Sequence, residues 1–431
     1  MRILALDIGA SSIISAIIDT ATAQVIGSTA RVDYCINHPT PEAAEVPAER
    51  LWSAVTGAAR AVAQAVEGIE GVGLSVLSPA LVLLDEKDQP AAAIRLPSDH
   101  RSRTAARQVQ ADIGAQFLAE AGNRPLPGGI SAVSFRQMVT DDSYLIREVR
   151  RYLHLNSWLA LRLTGQTAFD PANASLSGLY GTLTTQQWLP RWCEYFEVEP
   201  AWLPPILDAG ATVGTIRSAV AAELGVPAGL PLKLGTSSVC TTMIAAGIRP
   251  GDLLHCIGDT QMLAVMTDRP RADSRRLVYQ HGVGKLFVHE THNPVGGSAL
   301  HWLRHLCFRD QSEEEFLQRT IPQATERTTR VTLDPPFLAG DCLEIESRRA
   351  AFRDLTLATE RLDLLAAVVQ EMRRQHERAL TALGVGVRLQ RVFTTGHDAE
   401  IVLRLLLEYA GATMHALKDA GLLGIGRLFQ G

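Results

Sequence analysis

What this chain has little of narrows its reading first. Its six cysteines, at 35, 193, 240, 256, 307 and 342, are scattered without a C-x-x-C pair, and a reduced, cytoplasmic setting is the expectation. Lys and Arg never gather beyond short pieces such as Arg373-Arg374, and the net charge is −5, so no basic face for nucleic acid is expected. No apolar run reaches the length of a membrane span. The apolar opening Ile3-Leu4-Ala5-Leu6 is cut short by Asp7, which argues against a leader peptide. Hydrophobic residues make up 46% of the chain and charged ones 20%, a globular composition that excludes disorder and leaves small molecules as the expected partners. At 431 residues the chain exceeds one ordinary core and suits two α/β domains of roughly 200 residues with a cleft between them.

The pattern along the chain is mixed α/β. An apolar run, the turn Asp7-Ile8-Gly9-Ala10-Ser11-Ser12 and a second run to Ile18 read as a hairpin. Residues 47–67 put Leu51, Val55, Ala58, Ala59, Val62 and Val66 on one helical face, with Gly68 as the closing glycine. Val72–Leu77 and Leu81–Asp85 read as strands, and Tyr144–Leu163 as a helix stopped by Thr164-Gly165. The Pro/Gly-rich stretch 225–231 marks a domain boundary, giving domains 1–228 and 229–431. Beyond it, residues 253–266 repeat the opening hairpin, with Gly258-Asp259-Thr260 where Gly9-Ala10-Ser11 stood. Arg361–Leu383 reads as an amphipathic helix ending at Gly384.

Turns built of glycine and small hydroxyl residues expose backbone N–H groups, and two of them facing a cleft suit a polyphosphate. Asp7, ending an apolar strand, is costly to bury unless it meets a donor or a cation such as Mg²⁺; the plainer alternative is that it only accepts hydrogen bonds from its own turn. His289, His292, His301 and His305 have metal-like spacing, yet histidines bonded to backbone are far commoner. A serine hydrolase built on Ser237 or Ser238 lacks the second glycine of the Gly-x-Ser-x-Gly turn.

The order of these pieces resembles the FGGY carbohydrate kinases of the xylulokinase and ribulokinase kind. The similarity includes Val72–Asp85, Leu96–Thr104 with its Asp-x-Arg, Leu159–Gly165 with Asp170–Ser175, Leu203-Pro-Pro205, Pro294–Leu303 and Val392–Glu400. It implies two ribonuclease-H-like domains of the actin/hexokinase superfamily, a sugar side followed by a nucleotide side, and ATP with Mg²⁺. By the same resemblance Asp7 orients the metal. Gly9, Ala10, Ser11, Gly258, Asp259, Thr260, Gly296, Gly297 and Gly396 are expected to hold nucleotide, while Ser78, Asp99 and Asp170 line the sugar pocket.

The chain also departs from the family. Where the family's second domain opens on an Asp that takes the proton from the sugar, Leu234-Gly-Thr-Ser-Ser-Val-Cys240 offers Ser238 on one alignment and Ser237 on another. Ser134 and Gln137 replace an expected Lys and Trp, the adenine-side glycine run shrinks to Thr394-Thr-Gly396, and Asp259 adds an anion to the second phosphate turn. Two functions follow as expectations: a slow ATP-dependent kinase for a small sugar or polyol, or a catalytically inactive pseudokinase that binds sugar or nucleotide as a sensor. Asp99 and Asp259 stand as candidate replacements for the missing base. The sequence leaves open the sugar and whether the chain pairs as a homodimer.

Overall fold

Strand β1, Arg2–Ile8, is apolar on both faces and buried on both, so it belongs at the middle of a sheet rather than at its edge. The computed structural model describes residues 1–340, 343–384, 389–396, 398–406, 409 and 411–430; Cys342 and His397 lie outside the described residues. β1 pairs antiparallel with β2 (Ser12–Asp19), which pairs with β3 (Gln24–Asp33). On its other side β1 runs parallel to β4 (Ile69–Val76), then come β6 (Pro231–Ser237) and the edge strand β5 (Thr212–Thr215). The second sheet repeats this plan. β7 (Leu253–Ile257) and β8 (Gln261–Thr267) form the hairpin, β10 (Phe287–Asn293) and β9 (Leu277–Gln280) extend it, and β11 (Arg391–Thr395) and β12 (Thr413–Ala416) add in parallel beyond β7. The hairpin repeat read from the sequence is thus a repeat of whole sheets.

Helices cover these sheets. α1, Ala48–Ala63, buries Leu51, Val55, Ala58, Ala59 and Val62 and ends before Gly68, which takes φ +74° in the following loop. The single helix expected over 144–163 is instead a short helical turn at Leu145–Glu148, a strand at Arg151–His154 and α2 at Leu155–Thr164. The strand pairs with Leu81–Leu84 in a small four-stranded sheet, so sheet pairing overrides the local helical spacing. α3 (Pro171–Ser177), α4 (Ser238–Ala246), α5 (Gly297–Cys307), α6 (Arg361–Leu383), α7 (Ala399–Leu405) and α8 (Ala420–Arg427) follow. α6 has the expected limits and closes on Gly384 at φ +69°.

The expected division at 228/229 does not follow sheet membership. β6 begins just beyond it and hydrogen-bonds to β4 of the first sheet, and its Leu232 is fully buried in the first half's core. α8, near the end of the chain, also returns to the first sheet, burying Leu422 and Ile425 against Ile3, Ala5, Ala16 and Ile18. The approach is close because β4 presents two same-face glycines: a Cβ on Gly71 would lie 2.6 Å from Phe429, and one on Gly73 2.4 Å from Ile425. On α8 itself, a Cβ on Gly424 would lie 2.0 Å from the Thr241 backbone oxygen. Alanine favours a helix over glycine by about 1 kcal/mol, but a backbone oxygen cannot step aside. Gly424→Ala is therefore expected to destabilise the fold by about 1–3 kcal/mol, the usual range for overpacking; a raised denaturation midpoint in urea would show that the helix propensity wins instead.

Candidate active site

The parallel neighbours β1, β4 and β6 end in register, with Ile8 opposite Val76 and Val76 opposite Ser237. Carboxyl ends of parallel strands are where open α/β sheets build their sites. That register brings Asp7 and the turn Gly9–Ser11, then Ser78, then Ser238 to one edge. In the turn, the Gly9 N–H donates to the Ser12 carbonyl (2.9 Å) and the Tyr34 N–H to the Ser11 carbonyl (2.9 Å). The Tyr34 hydroxyl donates to the Gly9 carbonyl at 2.6 Å, so Tyr34 clamps both ends of the turn. Ala10 and Ser11 are left exposed. Asp7 is half-buried; burial raises its pKa, with the neighbouring Ser75 hydroxyl pulling the other way. A Cβ on Gly421 would lie 2.1 Å from the Asp7 carboxylate, so only a glycine at the start of α8 leaves this acid its place.

The two aligned serines are not equivalent. Ser237 is the N-cap of α4: its hydroxyl accepts from the Cys240 N–H at 3.3 Å and its carbonyl accepts from the Thr241 hydroxyl at 3.0 Å. It is buried and committed to the backbone. Ser238, the first residue of the helix, is half-buried and takes no part in that cap.

Beneath this edge lies Asp170, fully buried. It caps α3 through the Ala172 N–H (3.0 Å) and also accepts from Asn156 (2.8 Å), Asn173 (2.6 Å) and the Thr236 hydroxyl (2.7 Å). Burial pushes its pKa up to about 6 against the pull of the Thr236, Asn173 and Ala172 bonds. With both oxygens engaged, Asp170 ties α3, Asn156 and β6 together and keeps no oxygen free of a partner. Ser78 joins the same network, its hydroxyl donating to Asn173 Oδ1 at 2.8 Å. Asp99 is also committed. Its carboxylate accepts from Arg101, from Arg95 Nη1 at 3.2 Å and from the Ala44 N–H at 2.9 Å. Burial alone would raise its pKa, but the Arg101 bond, the Ala44 N–H and the Arg95 charge hold it below the usual carboxylate range. A carboxylate locked in this way is a poor proton acceptor.

The second sheet builds the other half. The Gly258 N–H donates to the Thr260 carbonyl (2.9 Å), and the Gly297 N–H donates to the Gly258 carbonyl (3.0 Å), so α5 starts directly on this turn. The Ser298 hydroxyl also donates to the Asp259 carbonyl at 3.0 Å. A Cβ on Gly296 would lie 2.3 Å from the Asp259 oxygen, and one on Gly396, at φ +117°, 1.8 Å from the Ile257 oxygen. Gly258, Asp259, Thr260, Gly296, Gly297 and Gly396 are therefore assembled in one place. The Asp259 side chain is exposed. Sequence reasoning missed Asp398: its carboxylate lies where a Cβ on Gly297 would come within 2.1 Å, at the N-terminus of α5, and accepts from His301 Nε2 at 2.9 Å when that nitrogen carries the proton. An anion at a helix N-terminus is favourable, and a polyphosphate would seek the same place. The available signal was the place of Asp398 in Val392–Glu400, one of the stretches that carry the resemblance.

His301 therefore pairs with Asp398, His292 Nε2 lies 3.0 Å from Glu290, and His305 Nδ1 lies 2.7 Å from the His301 carbonyl. No cluster of three or more His, Cys, Asp or Glu suited to a metal is present among the described residues. The five described cysteines are free thiols, and no described helix is long and apolar enough to cross a membrane.

Residues 2–245 match the model of the FGGY family of carbohydrate kinases, N-terminal domain. The chain belongs to the FGGY family. Among curated relatives of this FGGY protein, the L-xylulose/3-keto-L-gulonate kinase of Escherichia coli K12 is 27% identical over 282 residues, covering 63% of the chain and 56% of the relative. The xylulose kinase of Streptomyces rubiginosus is 23% identical over 272 residues, covering 63% and 55%. The chain thus spans little more than half the length of the curated relatives it matches. Two solved structures share the FGGY chain's fold. A xylulose kinase from Rhodospirillum rubrum superposes with a TM-score of 0.85 at 22% identity, over 99% of this chain and 88% of that one. A Plasmodium falciparum glycerol kinase with ADP gives 0.83 at 16%, over 99% and 88%. The fold is the two-domain actin/hexokinase-like α/β fold.

Proposed function

We propose that the chain is an ATP-dependent kinase for a hydroxyl of a small sugar or polyol, slowed by the lack of a carboxylate at position 238. The observation that carries this reading is the single sheet edge that collects Asp7, the Gly9–Ser11 turn, Ser78 and Ser238. Phosphoryl transfer depends chiefly on positioning and neutralisation of charge, because its transition state is loose. The exposed turns supply the positioning. Asp7 fits Mg²⁺, since a carboxylate whose pKa is raised by burial gains most from a nearby cation. A bound Mg²⁺ would supply neutralisation of phosphate charge. Ser238 places a neutral hydroxyl where a proton acceptor belongs, so the sugar proton leaves without a strong base.

The pseudokinase sensor is the second reading, and Asp398 favours it. A carboxylate already seated at the N-terminus of α5 competes with a phosphate group for the same end of the helix. With Asp259 exposed on the adjoining turn, the nucleotide half carries two anions of its own.

Calorimetry with Mg·ADP and Mg·ATP, followed by an ADP-release assay over common pentuloses, separates the two readings. The kinase reading expects nucleotide binding and slow, sugar-dependent ADP formation. It also expects Asp7→Asn, which removes charge at constant size, to abolish the Mg²⁺-dependent part of nucleotide affinity. Unchanged affinity in that variant removes Asp7 from the metal's role, and sugar binding without turnover moves the protein to the sensor class.

A further inference from the structure

We propose a second small-molecule site at the end of the second sheet's interior strands β8 and β10, shaped for a phosphate-bearing anion. β8 runs away from the Gly258–Thr260 turn, so its end at Thr267 lies about 20 Å from the candidate active site. There a cavity of about 980 Å³ is lined by Arg269, Arg271, Arg275, Arg276, His289 and the end of α6 at Ala382. Four guanidinium groups face one lining carboxylate, Asp273, in a protein whose net charge is −5. Asp273 is already held by Arg275 at 2.7 Å. Arg269 and Arg271 form no ion pair among the described residues and are exposed.

The site is built rather than merely decorated. Arg276 is only 9% exposed; it donates to the Ala382 carbonyl (2.7 Å) and the Arg271 carbonyl (2.8 Å), and its Nε has no hydrogen-bond partner. It therefore pins the arginine loop to the end of α6 without spending its charge on a carboxylate. The Arg271 N–H donates to His289 Nε2 at 3.3 Å, and the Thr291 hydroxyl donates to the Arg275 carbonyl at 3.0 Å, which fixes the loop from β10. Burial and the Arg276 charge hold His289 near pKa 4, so its ring stays a neutral acceptor at neutral pH. Guanidinium groups on a fixed loop recognise phosphate through paired N–H donors, and the cavity has the size of an ordinary small-molecule pocket. The ligand class is a phosphate ester or pyrophosphate, and nothing in this inference depends on the kinase activity.

Inorganic pyrophosphate and ribose 5-phosphate, titrated calorimetrically without Mg²⁺, test it. The wild type is expected to bind at least one of them, and the surface double variant Arg269→Ala/Arg271→Ala to bind about tenfold or more weakly, the loss expected when paired charge-assisted bonds go. Arg31→Ala, which removes an exposed arginine from β3, serves as the charge control and should change little. Binding equal in the wild type and the double variant overturns the proposal, because the anion then sits elsewhere, the phosphate turns of the cleft included. An equal loss in Arg31→Ala reduces the effect to overall charge and overturns it too, as does a wild type that binds neither probe.

Discussion

Ser238→Asp raises sugar-dependent ADP formation about tenfold or more, within the roughly 10²–10⁴ that a positioned general base supplies. The expectation rests on how the two serines divide their work. Ser237 spends its hydroxyl and carbonyl on the first turn of α4, so an acid there perturbs a cap. Ser238 makes no such bond, is half-buried, and starts the helix at the shared edge of β1, β4 and β6. An acid in the first turn of a helix is electrostatically favoured, which keeps the variant folded and its carboxylate ionised near neutral pH. Ser237→Asp is the control and should give no comparable gain. If neither variant turns over while the wild type still binds a ligand, the obstacle is the nucleotide half, where Asp398 and Asp259 sit. A wild type already running at about 1–100 turnovers per second, the ordinary kinase range, would show that the proton goes to another acceptor.

Much of the framework was legible because it is local. A strand, a glycine turn and a strand leave the same trace at Gly9 and at Gly258, and the structure turns both into sheet centres. What was not legible depends on which partners each side chain meets in the fold, near and far in the chain. Asp99 and Asp170 read as pocket acids, yet Asp99 is claimed by Arg95, Arg101 and Ala44, and Asp170 by Asn156 and Thr236 as well as its near neighbours. The Asp170-Pro171 pair did carry a signal, since an Asp N-cap followed by Pro at the first helical position announces a helix start. The strand at Arg151–His154 was hidden within a helical pattern because its partner, Leu81–Leu84, lies some seventy residues earlier. Only the cap geometry separates Ser237 from Ser238, and sequence alignment alone leaves them tied.

Asp170→Asn is expected to destabilise the protein, and to do so most at low pH. Asp170 accepts four hydrogen bonds in a fully buried site, and an amide nitrogen in place of one oxygen confronts donors with a donor. An unsatisfied buried group costs about 1–3 kcal/mol; the protonated acid shares part of that cost, because its own O–H also meets donors, so the loss at low pH is that of about one such group. Removal of the charge brings relief at higher pH. Burial raises the Asp170 pKa from 3.8 to about 6, so the folded state binds a proton that the unfolded state releases between these values. Stability from this group is therefore fully present below about pH 4 and falls as pH rises through 6, by about 3 kcal/mol at 1.36 kcal/mol per unit. The difference between wild type and Asp170→Asn should then shrink by a few kcal/mol between about pH 4 and pH 7, while the titration of every other carboxylate cancels in the subtraction. Urea denaturation of both proteins across that range measures it. Parallel stability curves would mean that Asp170 titrates at its ordinary value and that its four bonds offset its burial. The same substitution loosens Thr236, two residues before Ser238, so a weakened sugar affinity alongside the stability change would place Asp170 as the residue that positions the turn from β6 into α4.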